Sequence, residues 1–163
     1  MLTFLAKRAI DAFERRWNYD HTYAREILQR AGFRAIQPLD ALGRVSKYRR
    51  AVPAPMYYAA KITATIAADC GSCAQLAVTM ARHEGVAPRV LRALAEGDRE
   101  ALGSDERLGY DLARATLARE PADDVRRAIV ERYGYGALVS LAYALVAAQA
   151  FPTLKYALGY GSA

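Results

Sequence analysis

Residues 56–68 read Met-Tyr-Tyr-Ala-Ala-Lys-Ile-Thr-Ala-Thr-Ile-Ala-Ala, with Lys61 as their only charge. A helix that is apolar nearly all round needs neighbours on every side, so this segment predicts a central core helix. Val52-Pro53-Ala54-Pro55 leads into it, and proline suits a first helical turn, so the helix is expected to start near Pro55. A core helix must be wrapped. A chain of 163 residues that is 53% hydrophobic supplies enough apolar surface for one domain without staples. Nowhere do apolar and polar residues alternate in a sustained way, nor does a hairpin turn join β-branched runs. The fold class is therefore expected to be all-α, as a single domain.

The wrapping segments carry helical periodicity. Leu2, Leu5, Ala9, Phe13 and Trp17 share one face, with Lys7, Arg8, Asp11, Glu14 and Arg15 elsewhere. Asp20 reads as a helix cap, and Tyr23, Ile27 and Ala31 as a stripe stopped by Gly32. Pro38 and Gly43 punctuate residues 33–50, which read as a short helix and loops. After residue 73, Leu76, Ala77 and Met80 share a face, and Gly85 is a natural stop. Pro88 opens a helix that ends at Gly97. Ser104 reads as a cap with Asp105 and Glu106 behind it. Pro121 begins a helix ended by Gly134. An apolar helix follows over residues 136–150, broken by Pro152, and a last turn holds Leu154, Lys155 and Tyr156. Residues 1–50 thus form an N-terminal helical extension to a core over residues 54–163.

The net charge is +6, with basic residues spread along the chain. Their densest cluster is Arg44, Lys47, Arg49 and Arg50, which reads as a solvated loop; nucleic acid is not an expected partner. Lys7, Arg8 and Asp11 interrupt the apolar start too early for a secretory h-region. The longest apolar run, residues 137–151, is shorter than the roughly 20 residues of a membrane span. The expected setting is cytoplasmic, with no membrane partner.

In such a reducing setting, the chain's only two cysteines stand as Asp69-Cys70-Gly71-Ser72-Cys73. A surviving pair there points to catalysis or redox sensing ahead of structure. Residues i and i+3 share a helix face, so the two thiols can close a disulfide. A helix starting near Cys70 directs free N–H groups and its dipole at the first sulfur and lowers its pKa. Asp69 acts the other way, or caps the helix, or accepts a proton. The expected chemistry is dithiol–disulfide exchange: one thiolate attacks a peroxide or a partner disulfide, and the other resolves the product. Inert buried cysteines rank behind this reading, and metal last, because zinc wants four ligands and only His21 and His83 remain. No cofactor is expected.

Residues 70–98, from the C-x-x-C through Ala81 and Gly85-Val86 to Ala-Glu-Gly-Asp, resemble the carboxymuconolactone decarboxylase superfamily, in its alkyl hydroperoxidase D-like branch. The helix before the cysteines fits the family's lead-in, and the resemblance spans residues 54–98. It implies an alkyl hydroperoxidase D-like helical bundle over residues 54–163 that forms a homo-oligomer. It also implies antioxidant peroxidase or disulfide reductase activity at Cys70 and Cys73. The exchange chemistry needs a thiol reductant, with lipoyl and thioredoxin-type donors as open alternatives. Two relay residues of that branch are replaced. Ala77 stands where its histidine falls, and Tyr57, Tyr58 and Lys61 stand in the region of its glutamate. Tyr58, Lys61, Asp69 and Gln75 are the candidate substitutes. The lower pKa expected at a helix start favours Cys70 as the attacking sulfur, whereas the resemblance favours Cys73.

Overall fold

The computed structural model describes residues 1–161, and no strand occurs among them. The helices are α1 (Leu2–Trp17), α2 (Thr22–Glu26), α3 (Phe33–Lys47), α4 (Ala54–Ala67), α5 (Gly71–His83), α6 (Pro88–Glu96), α7 (Ser104–Ala118), α8 (Asp123–Tyr133) and α9 (Tyr135–Ala157). A π turn over Ile27–Ala31 joins α2 to α3, and a 3₁₀ turn over Arg99–Ala101 precedes α7.

As its composition demands, α4 is the central helix. Met56, Ala59, Ala60, Ile62 and Ala64 are completely buried, enclosed by α5, α6, α7 and α9. The α7 crossing is closest at Gly109, where a Cβ would fall 2.2 Å from the Met56 carbonyl oxygen. Only glycine lets the two backbones meet there. From α9, Gln149 donates to the Ala64 carbonyl at 2.6 Å, a second bond on an acceptor that also takes the Ala68 N–H at 3.2 Å. Ser140 of the same helix, fully buried, accepts from the Arg50 N–H at 2.8 Å.

Both internal prolines behave differently from the sequence expectation. Residues 33–47 form one helix running through Pro38, and α9 continues through Pro152 to Ala157. A proline removes one helical bond and costs about 3 kcal/mol. Tertiary packing outweighs that cost where the turns on both sides are anchored: Ala147, Ala148 and Lys155 are all buried around Pro152. The first residues of three helices also differ. Ser104 lies inside α7, whose N-cap is Gly103. Asp20 accepts from the Thr22 N–H at 2.9 Å, but His21 is the N-cap of α2. Pro121 precedes α8, which begins at Asp123.

The first 50 residues form a roof over α4, α5 and α9. Ile10, Tyr19, Tyr23, Ala24, Leu28 and Ile36 make a second apolar cluster, to which Leu76 of α5 and Leu154 of α9 contribute. Glu14 ties α1 to α2 by accepting from Arg25 and from the His21 N–H. The basic cluster is used within the fold. Arg44 pairs with Asp40, Arg49 with Glu84, and Arg50 lies against Gly136. With 23 residues, α9 is long and apolar enough to cross a membrane by length and composition, and 44% of its most apolar window is buried in the fold.

Candidate functional site

The turn between α4 and α5 aims the cysteines. Asp69 adopts a left-handed φ of 51°, which aspartate tolerates better than most residues. Its carbonyl accepts from the Tyr156 hydroxyl. Cys70 then becomes the N-cap of α5, as the motif predicts, and Cys73 sits one turn in. Their sulfurs lie 2.7 Å apart as free thiols. A disulfide bond of about 2.05 Å therefore needs only a small side-chain movement.

The two thiols are driven in opposite directions. Burial pushes Cys70 up, but the Cys73 thiol and backbone N–H, the Ser72 hydroxyl and the Lys155 ammonium together hold it below the ordinary thiol value. For Cys73, burial and the neighbouring Cys70 thiolate push the pKa up to about 12, against Lys155 and Tyr19. Of the coupled pair, Cys70 is therefore the more acidic thiol, and Cys73 is the one that keeps its proton longer. Exposure differs as well: Cys70 is 2% accessible and Cys73 9%, and only Cys73 lines the cavity under the roof.

Lys155 completes the site from α9. It is 4% exposed. Its ammonium donates to Ser72 Oγ at 2.6 Å and to the Tyr19 hydroxyl at 3.5 Å. The rings of Tyr19 and Tyr23 lie 5.6 and 5.8 Å from it. The same two hydroxyls lie within hydrogen-bond reach of sulfur: Ser72 of Cys70 at 3.7 Å and Tyr19 of Cys73 at 3.9 Å. Burial, reinforced by Tyr23 and the thiols, raises the Tyr19 pKa well above its usual value and keeps it a neutral donor. His21 Nε2 bonds the Tyr23 hydroxyl at 3.0 Å, and burial lowers the His21 pKa to about 4. Among the described residues, no carboxylate lies within ion-pair distance of Lys155. A buried cation is costly without a counter-charge, and the same proximity favours the ionised form of Cys70.

The sequence candidates separate. Cys70 and Cys73 form the centre. Asp69 contributes its backbone turn, and its side chain caps nothing. Gln75 is exposed on the far face of α5. Tyr58 and Lys61 line the same cavity as Cys73, but Tyr58 donates to Glu84 at the opposite end of α5. That is about 16 Å from Cys73 at 1.5 Å per residue, beyond direct proton transfer. Tyr19, Ser72 and Lys155 hold the positions next to sulfur. Among the described residues, no three histidine, cysteine or acidic side chains gather as a metal-ligand set.

No protein-family model matches the chain, and no curated protein or solved structure compared with it matches either.

Proposed function

We propose that this chain is a dithiol oxidoreductase that reduces peroxides through Cys70 and Cys73. The observation that carries this is the buried Lys155 beside two sulfurs 2.7 Å apart, with no carboxylate within ion-pair distance among the described residues. A cation so placed favours thiolate, the form that attacks peroxide and disulfide bonds. The resemblance of residues 54–98 supports the same chemistry and an alkyl hydroperoxidase D-like bundle. The exposed apolar residues Leu2, Phe4 and Leu5 on α1 and Tyr135 and Val146 on α9 support a homo-oligomer.

Substrate reaches Cys73 from the cavity. The Cys73 sulfur attacks the peroxide O–O bond and becomes a sulfenic acid. Its proton passes to Cys70 and on to the departing alkoxide, which leaves as the alcohol. The Cys70 thiolate then attacks the sulfenic sulfur, and hydroxide leaves as water after taking a proton from solvent. The pair loses two electrons, and a lipoyl or thioredoxin-type dithiol returns them. Tyr19 and Lys155 stabilise the departing oxygen and hold the thiolate.

Peroxide turnover with each donor tests this in the wild type and in Cys70→Ser and Cys73→Ser. Both substitutions are expected to abolish turnover. Turnover retained in both variants refutes the proposal. The cavity favours a second reading, a non-catalytic helical module that binds a ligand and carries a redox-sensing disulfide. That reading predicts a reversible Cys70–Cys73 disulfide with no turnover by any donor.

A further inference from the structure

The cavity between the roof and the core has a volume of about 1080 Å³, just above the usual range for small-molecule sites. Its floor is one stripe of α5. Cys73, Leu76, Ala77, Met80 and Glu84 follow at helical spacing, and all of them line it. Phe13, Trp17, Ile36 and Phe151 add apolar walls. Ala77 matters here through what it lacks, since a larger side chain would rise from the floor between the two ends.

The ends differ in chemistry. One holds the Cys73 thiol. The other holds Lys61, Arg49 and Glu84. Arg49 lies over the rings of Tyr57 and Tyr58, at 4.7 and 5.8 Å, and bonds Glu84. Lys61 lies 5.7 Å from the Tyr57 ring, and among the described residues its ammonium makes no hydrogen bond or ion pair. Around the whole cavity five Lys and Arg side chains face two carboxylates. An apolar channel with surplus positive charge at one end selects a long apolar molecule with an anionic head.

We propose that this cavity binds a long-chain fatty acid, with its carboxylate at Lys61 and Arg49 and its acyl chain along α5 toward Cys73. The reach between the two ends is about 16 Å. An extended hydrocarbon covers it with roughly a dozen C–C bonds of about 1.5 Å in zigzag. A hydroperoxide group about two thirds of the way along an eighteen-carbon chain, near carbon 13, therefore comes level with the sulfur. Resting on the dithiol reading above, the substrate is then a fatty-acid hydroperoxide. It accepts two electrons from the thiol pair and leaves as the hydroxy acid and water.

Binding is tested separately from redox chemistry, in the full chain carrying both Cys70→Ser and Cys73→Ser. Fluorescent cis-parinaric acid is bound first and displaced by oleate or methyl oleate. Oleate is expected to displace it at least tenfold better than the uncharged ester, and Lys61→Met is expected to weaken oleate about tenfold. No displaceable binding overturns the site. Equal displacement by acid and ester overturns the anionic end, and because that comparison changes only the ligand it does not depend on how the Lys61 variant folds. In the wild-type chain, kcat/KM for linoleate hydroperoxide is expected to exceed that for hydrogen peroxide, with a preference at least tenfold smaller in Lys61→Met. Oleate binding without peroxide turnover refutes the thiol reading and supports the acyl site. Hydrogen peroxide turnover without oleate binding does the reverse.

Discussion

Replacing Lys155 by Met tests whether a buried cation sets the acidity of the thiol pair. The ammonium lies 2.6 Å from Ser72 Oγ, which lies 3.7 Å from Cys70 Sγ. The cation is therefore no more than about 6 Å from the sulfur, a separation worth about 2.8 kcal/mol at an effective dielectric near 20. At that separation the interaction corresponds to about two pKa units. Because the Cys73 thiol and N–H and the Ser72 hydroxyl act on Cys70 more strongly than Lys155 does, the expected rise in Lys155→Met is about one unit. The assay is the rate of iodoacetamide alkylation against pH, with thiolate absorbance as an independent measure. Wild type is expected to titrate below an ordinary thiol, Lys155→Met about one unit higher, and Lys155→Arg close to wild type. A folded Lys155→Met protein with an unchanged pH profile would refute the assignment. The sign of the linked stability is fixed too. A depressed thiol pKa contributes stability that is fully present above the unfolded value and lost as pH falls through the folded one.

Three further outcomes are expected. Burial holds the Lys61 pKa down to about 8, so below pH 8 its charge costs stability, and stability rises between about pH 8 and 10.5 as the folded state loses its proton first. Lys61→Met is expected to gain about 1–2 kcal/mol at pH 7 by chemical denaturation, less than the full shift implies because the side chain keeps some contact with water in the cavity; a loss of stability would refute the burial argument. Gly109→Ala drives a Cβ onto the Met56 carbonyl oxygen and is expected to cost about 3 kcal/mol, whereas an unchanged midpoint would show that the α4–α7 crossing yields easily. Asp69→Gly keeps the left-handed turn and is expected to preserve the alkylation profile, whereas Asp69→Val loses stability by about 1–2 kcal/mol; equal stability in the two variants would show that the turn carries no such constraint.

What the sequence disclosed follows the range of the interactions involved. The all-helical class, the central place of α4 and the start of α5 at Cys70 rest on periodicity, proline position and apolar composition, all local signals. The ends at Gly85 and Gly97, both at positive φ, were legible for the same reason. Tyr19 and Lys155 were not, because they reach Cys73 and Ser72 across 54 and 83 residues of chain. The break expected at Pro152 also left Lys155 in a terminal turn, whereas the continuous helix carries it into the core. One signal lay in the sequence. Both of the most apolar helices, α4 and α9, carry a single charge, and in each it is a lysine at a cavity or at the thiols. A lone charge in an apolar helix marks a chemical site, whereas Gln75 among polar neighbours marks a solvent face. Tyr58 stands in the region of the resembled branch's glutamate, whereas its partner Glu84 is fixed by the packing of α4 on α5.

That same separation along the chain bears on how the protein is made. Lys155 leaves the ribosome 83 residues after Ser72. At synthesis rates of about 5–20 residues per second, that delay is roughly 4–17 s. During it the growing chain already contains both cysteines and Ser72 but not the buried cation that adds to the acidity of Cys70. The Cys70 thiol of a nascent chain is therefore less acidic than that of the finished fold. The last increment of its acidity arrives when α9 docks, the step that also covers the central helix.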